Sequence, residues 1–168
     1  KRQEYSRFVF YDFIKRKSEA AAAVLRGIAA FNATVGTPVD ADGRPLPKPR
    51  VRRLHSDREG KLMSIDFAAI RGALPVEESL HHTKSPPHDH DLNPIAERTI
   101  GVIWEMAASV RVHSGAPSGY WPWMVSYAVD WHNSSVTGVG SSTADAHISP
   151  HQRFTLRPPR VMDLATFG

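Results

Sequence analysis

Two carboxylates occupy positions from which chemistry can be done: Asp57, closing "VRRLHSD", and Glu97, inside "LNPIAERTIGVIWEMAASV". Asp57 ends a predicted strand and precedes a turn; in α/β proteins the loops at such strand ends diverge and leave a crevice. Glu97 is the fourth residue of a helix whose start is set by Asn93 as N-cap and Pro94 at the first helical position. That lies one residue past the point from which a capping-box glutamate reaches back to the cap amide. Two readings stay open for each acid. Asp57 can merely turn the chain, and Glu97 can merely sit near the positive helix end. If strand end and helix start lie side by side, the two side chains converge, and paired oxygen ligands in a cleft suit a hard divalent cation, Mg²⁺ or Mn²⁺.

The stretch "HHTKSPPHDHD" offers a different chemistry, bringing His81, His82, His88 and His90 together with Asp89 and Asp91. The ligand types suit zinc, but their spacing matches no specific zinc motif, so a solvated loop is the expectation.

The elements that must carry these residues follow from periodicity. "RFVFYDFI", residues 7–14, is aromatic and β-branched and predicts a strand with Asp12 as its one charge. Ser18 is expected to cap a helix in which Val24, Leu25, Ile28 and Phe31 form the buried face, with Gly36 closing it. A Pro- and Gly-rich loop, "TPVDADGRPLPKPR", leads to the strand of Asp57. Beyond it the sequence predicts a turn at "REGKL", a short helix capped by Ser64, and a strand over "VEESLHHTK". The helix of Glu97 is expected to run to about His113, and "SGAPSG" separates it from a second, "YWPWMVSYAVDWHN". Trp104, Tyr120, Trp121, Trp123 and Trp131 are spaced as helix-face residues and are expected in the core or between helices. From Ser134 onward the chain reads as mostly irregular. The alternation of strands and helices predicts an α/β domain with helices covering a central sheet.

Composition narrows the class. The 168 residues suit one domain with a hydrophobic core. The formal charge of +4 permits a polyanionic partner without requiring one. The chain has no cysteine, which excludes disulfides and thiolate zinc sites within it. No apolar stretch reaches the ~18 residues of a membrane span, and the chain reads as soluble and intracellular.

Five segments, in order, resemble a known family, the integrase catalytic core of Ty1/copia-type LTR retrotransposons. "YSRFVFYDFIKRKSEA" is similar to the strand with an Asp-Tyr-Ser-Arg lead and a Lys-Ser-Glu exit. "VRRLHSDREG" resembles the strand of the second catalytic aspartate, usually Ser-Asp-Asn-Gly. "PHDHDLNPIAER" resembles the Asn-Gly-Val-Ala-Glu-Arg block of the catalytic glutamate. "MAASVRVHSGAPSGYWPWMVSYAVDWHN" is similar to the helical pair with Gly-Leu-Pro-x-x-Trp between its parts. "ISPHQRFTLRPPRVMDLATFG" resembles the tail ending Leu-x-x-Phe-Gly.

The resemblance implies an RNase H-like α/β fold, a central mixed β-sheet flanked by helices. It implies that residues 1–133 are the integrase core, N-terminally truncated, and that 134–168 are an irregular C-terminal extension. It implies that Asp57 and Glu97 are the second and third metal ligands of an Asp-Asp-Glu triad. The first aspartate, on the first strand, is expected upstream of Lys1; Asp12 aligns with an ordinary position. The implied activity is Mg²⁺-dependent (or Mn²⁺-dependent) 3′-end processing of the element's DNA and strand transfer into target DNA. Expected DNA contacts include Arg58, Lys61, Lys84, Asn93 and Arg98, within a wider basic set of Lys15, Arg16, Lys17, Lys48, Arg50, Arg52 and Arg53. The implied partners are element-end and target DNA and a second copy of the chain, with neither a membrane nor a small-molecule substrate. The implied setting is the nucleus, after a cytoplasmic particle stage. Where the pattern has Asn-Gly, this chain has Arg58-Glu59-Gly60 and Asn93-Pro94. Such departures also fit a catalytically inactive relic or domesticated module that keeps the fold and binds DNA or a protein partner.

Overall fold

The computed structural model describes residues 6–56, 80–84, 94–136 and 147–160. Its elements are α1 (Ala20–Thr34), β1 (Arg53–Ser56), β2 (His81–Lys84), α2 (Pro94–Ser114), α3 (Trp121–Ser134) and α4 (Pro150–Thr155), with 3-10 turns at Lys17–Glu19 and Ser118–Tyr120. The architecture is mixed α/β, with a small parallel sheet among the described residues. The chain divides into two compact units, one of Lys1–Tyr11, Val35–Lys48 and Thr99–Gly168, the other of Asp12–Thr34 and Pro49–Arg98. No helix among the described residues is long and apolar enough to cross a membrane.

The first unit is built on the pairing of α2 with α3. Ile103 and Ala107, one helical turn apart on α2, pack with Met124, Ala128 and Val129 of α3 to form its buried core. The small side chains at Ala107 and Ala128 occupy fully buried positions, as close approach of two helices requires. Gly115, at φ 63°, stops α2 in the left-handed conformation that glycine adopts most cheaply. The five aromatics assigned by spacing to the core or helix packing are instead exposed; Trp123 leaves 63% of its surface in water and Trp104 52%. Trp104 and Trp121 do meet between the helices, with ring centroids 6.1 Å apart. Helical spacing marks a face, and here the alanines, valines and Met124 take the interior while the larger rings lie along its margin.

Residues 7–14, expected as a strand, belong to no strand in the structure. Their aromatic pattern is used differently. Phe8 stacks on Phe154 at 4.5 Å and Phe10 meets the same ring edge-on at 5.6 Å. Val9 packs on the α2–α3 core. Its backbone is paired by a side chain: the Val9 N–H donates to Asn133 Oδ1 and the Asn133 amide donates to the Val9 carbonyl, each at 2.9 Å. The stripe of half-buried Val125 and buried Val129 and Asn133 on α3 thus ends in an amide that takes the role of a neighbouring strand.

The C-terminal stretch expected to be irregular contains α4. Ser149 caps it by accepting from the Gln152 N–H at 3.2 Å, and Pro150 follows at its start. Phe154 is buried, and the Gly36 N–H donates to its carbonyl at 3.0 Å. The loop after Gly36 is a loop as expected, tightened by a bridge between Val39 and Pro45 and by the Asp40 carboxylate accepting from the Asp42 and Arg44 amides.

In the second unit, α1 lays Ala21, Val24 and Ile28 against Leu80, Val51 and Leu54. The predicted face of α1 is therefore the packed one, although Leu25 and Phe31 are only half-buried. Ser18 does not cap it; the helix is preceded by a 3-10 turn, and Glu19 Oε2 accepts from the Lys15 N–H at 3.1 Å. Asp12 forms a surface ion pair with Arg26, Oδ2 to Nη2 2.7 Å. β1 and β2 run parallel with Arg53 opposite His81 and Ser56 opposite Lys84. A parallel pair needs a crossover of a dozen or more residues, a length that 57–80 supplies. The turn and the helix predicted within that span lie outside the described residues.

Candidate active site

Asp57 itself lies outside the described residues, as do Arg58, Lys61 and Asn93. What is described is the strand that delivers Asp57 and the helix that carries Glu97.

Strand β1 alternates: Arg53 and His55 are exposed, Leu54 is half-buried and Ser56 buried. Two cross-strand polar pairs hold it to β2, one on each face. On the inward face Ser56 Oγ lies 2.8 Å from His82 Nε2. On the outward face His55 Nδ1 lies 3.0 Å from Thr83 Oγ1, which also donates to the Leu54 carbonyl at 3.4 Å. A buried hydroxyl without a partner costs about 1–3 kcal/mol, so the imidazole of His82 is well spent on Ser56. His81 and His82 lie on β2, within the stretch "VEESLHHTK" predicted as a strand; the remaining members of the histidine-rich stretch are outside the described residues. Among the described residues, no three of His, Asp or Glu converge as a metal cage. Lys84 pairs through its backbone register with Ser56, the residue immediately before Asp57. The backbone of one candidate phosphate contact thus lies beside the residue that precedes Asp57 in the sequence.

The Glu97 helix begins at Pro94, as the sequence predicts, and extends to Ser114. Glu97 sits in its first turn and is exposed, and Arg98 beside it is exposed too. Among the described residues Glu97 has no ion-pair partner, so its carboxylate is available to a ligand. Residues 94–98 group with β1 and β2 in one compact unit, while the rest of α2 belongs to the other.

The concavities of the first unit are of another kind. One, of about 190 Å³, is lined by Val9, Ile100, Trp104 and other apolar residues. A second, of about 460 Å³, lies between α2 and α3 and includes a single acid, Glu105. The first is almost wholly apolar; the second adds Ser109 and Tyr127 to Glu105, with no second charged group. Sequence reasoning missed the Ser56–His82 pair, which joins residues 26 apart and has no signature in local spacing.

No protein-family model matches the chain. Over 119 residues it is 31% identical to the Retrovirus-related Pol polyprotein from transposon RE2 of Arabidopsis thaliana, a match covering 71% of this chain and 7% of that polyprotein. The chain thus spans a small part of its curated relative. Its fold is similar to a chain in the cryo-electron-microscopy structure of the simian T-cell lymphotropic virus intasome in complex with PP2A regulatory subunit B56 gamma. The TM-score is 0.55 at 18% identity, over 96% of this chain and 43% of that one. The chain is thus similar in sequence to a part of a retrotransposon Pol polyprotein and in fold to a chain of a retroviral intasome.

Proposed function

We propose that the chain is the catalytic-core segment of a retrotransposon integrase, with an RNase H-like arrangement, that trims DNA 3′ ends and joins them to target DNA. The single observation that carries this reading is the placement of Glu97: an exposed carboxylate in the first turn of a 21-residue helix, in the same compact unit as the strand leading to Asp57. The relative's Pol identity and the intasome-like fold support it from outside.

The donor chemistry fits a hard cation. Carboxylate oxygens are the ligands Mg²⁺ and Mn²⁺ prefer, and Glu97 has no competing cation among the described residues. When bound, such an ion activates a water or 3′-hydroxyl and stabilises the leaving oxygen of a phosphodiester. Asp57 and Glu97 are the residues proposed to hold it. Arg58, Lys61, Lys84, Asn93 and Arg98 are proposed to position the DNA backbone, since contacts to phosphate set register around a reacting bond. Glu97 is presented from a continuous helix rather than a loop, which limits its movement and favours a defined geometry. The proposed partners are element-end and target DNA and a second copy of the chain, and the proposed setting is the nucleus after a cytoplasmic particle stage.

A second reading, an inactive DNA- or protein-binding relic, is favoured by Pro94 at the first position of α2. Proline there stiffens a connection for which the family pattern has glycine. One experiment separates the two. Strand transfer is assayed with Mg²⁺ and with Mn²⁺ in the chain extended upstream, alongside Asp57→Asn and Glu97→Gln. Joined products from the parent, absent from both variants, are expected. Joining that survives either substitution sinks the metal-ligand assignment, and DNA binding without joining in the parent selects the relic.

A further inference from the structure

The covered face of the β1–β2 pair changes character along its length. Where α1 lies on it the row is apolar, with Leu54 of β1 and Leu80, just before β2, packed among Ala21, Val24 and Ile28. Two residues further along each strand the same face carries Ser56, buried, and His82, half-buried, with Ser56 Oγ 2.8 Å from His82 Nε2. Parallel strands normally read as continuous apolar runs, and a valine at position 56 would prolong that run without needing a partner. A buried serine that must be matched by an imidazole breaks this rule, and such breaks are expected where something besides burial is specified.

What the pair specifies is register. Each strand is four residues long, and the apolar content of their covered face is Leu54 and Leu80. A slip by two residues keeps the same side chains inward, so alternation alone does not forbid it. Such a slip would move the end of β1 by roughly 7 Å along β2. It would also part Ser56 from His82 and leave a buried hydroxyl without its partner. His82 stands opposite Leu54 and reaches diagonally to Ser56, so the contact belongs to the observed register. The outward pair discriminates less, because it ends at exposed His55, where water replaces a lost partner.

We infer that His82 is a positioning residue: acting through Ser56, it holds β1 in the register from which Asp57, the next residue in the sequence, is delivered. The inference rests on the proposed function for one thing, the role of Asp57 as a metal ligand. Ligand distances in a metal site hold to about 0.2 Å, so a register error of roughly 7 Å would take the carboxylate away from any ion shared with Glu97. His82 itself touches neither ion nor DNA in this scheme; its effect passes through the Ser56 hydroxyl.

The test is Mn²⁺ binding without DNA, followed by electron paramagnetic resonance in the chain extended upstream. His82→Ala is expected to weaken Mn²⁺ binding at least about tenfold, the usual effect of losing a group that orients a ligand. Ser56→Ala is expected to do the same, and the double variant to be no worse than either single one, since all three remove one contact. His82→Gln, whose amide donates or accepts at similar reach, is expected to bind within about threefold of the parent. Thr83→Val is the control: it removes the outward pair from the same two strands and is expected to change Mn²⁺ affinity by less than about twofold. Register is also read without metal. In EDTA, hydrogen exchange of the β1 amides is expected to quicken at least about tenfold in His82→Ala and to return toward the parent in His82→Gln. Parental Mn²⁺ affinity in His82→Ala, an equal loss in Thr83→Val, or no recovery in His82→Gln overturns the proposal. The two readings fail separately. If Asp57→Asn loses the ion while His82→Ala keeps it, the metal-ligand reading stands and this proposal falls. If Asp57→Asn binds Mn²⁺ as tightly as the parent, the metal-ligand reading fails, and the exchange in EDTA alone decides the role of His82, unchanged exchange in His82→Ala overturning it.

Discussion

Asn133 clasps Val9 from both sides of its peptide backbone, Oδ1 accepting from the Val9 N–H and Nδ2 donating to the Val9 carbonyl, both at 2.9 Å. The two residues lie 124 positions apart, and Asn133 is buried on α3. The amide therefore fastens the N-terminal aromatic segment to the α2–α3 core. Asn133→Ala leaves a backbone donor and acceptor without partners and is expected to destabilise the fold by about 2 kcal/mol, measured by urea denaturation. Asn133→Asp keeps the acceptor but sets a carboxylate against the Val9 carbonyl. It is expected to be at least as unstable at neutral pH and to recover in acid, where the protonated side chain can again donate. An Asn133→Ala variant as stable as the parent refutes the clasp.

Gly36 lies where the chain leaving α1 meets the end of α4. A methyl group built there falls 2.7 Å from the Thr155 carbonyl carbon and 2.8 Å from Leu156 Cγ. The Thr155 backbone has little room to yield, because Gly36 donates to the Phe154 carbonyl on one side of it and Leu156 holds a left-handed conformation at φ 60° on the other. Gly36→Ala is expected to cost about 1–3 kcal/mol, the usual range for overpacking. Gly43→Ala is the comparison: it meets no atom within 4 Å but carries φ 80°, so its loss comes from backbone strain alone and is expected to be about 1 kcal/mol. Thermal unfolding of the two variants ranks them.

Among the described residues, Asp130 is the titratable group whose pKa is shifted by its surroundings. Partial desolvation raises its carboxyl pKa above the ordinary 3.8. A carboxyl raised in the folded state favours its protonated form there, so its contribution to stability is greatest below about 3.8 and is lost as pH rises through the folded value. The residue as a whole remains exposed, which keeps the effect small. Its place in the last turns of α3 also sets a negative charge near the negative helix end. Asp130→Asn is expected to raise the melting temperature at pH 7 and to give no gain at pH 3. A gain that is the same at both pH values points to a cause other than ionisation.

The site and fold were legible in unequal parts. The Glu97 helix could be read because Asn-Pro starts a helix and Gly115 stops one, signals that act within a few residues. The strand before Asp57 was legible from its alternation. The short helix at Pro150 carried a local signal as well, Ser149 before proline, but six residues are too few to show a period. Residues 7–14 were read as a strand because their side chains alternate. Side-chain pattern reports which faces are buried, not what the backbone bonds to, and here a distant amide supplied the partner.

Local chemistry along the chain was enough to specify the start and stop of the Glu97 helix, the position of Glu97 in its first turn, and the likeness to a Pol polyprotein carried by ordered motifs. Which apolar residues went inside was settled by packing: Ala107 and Ala128 let two helices close on each other, and the tryptophans were left at the margin. Packing also set the parallel register that places Lys84 beside Ser56. These depend on contacts between segments tens of residues apart, whose energies no local window contains.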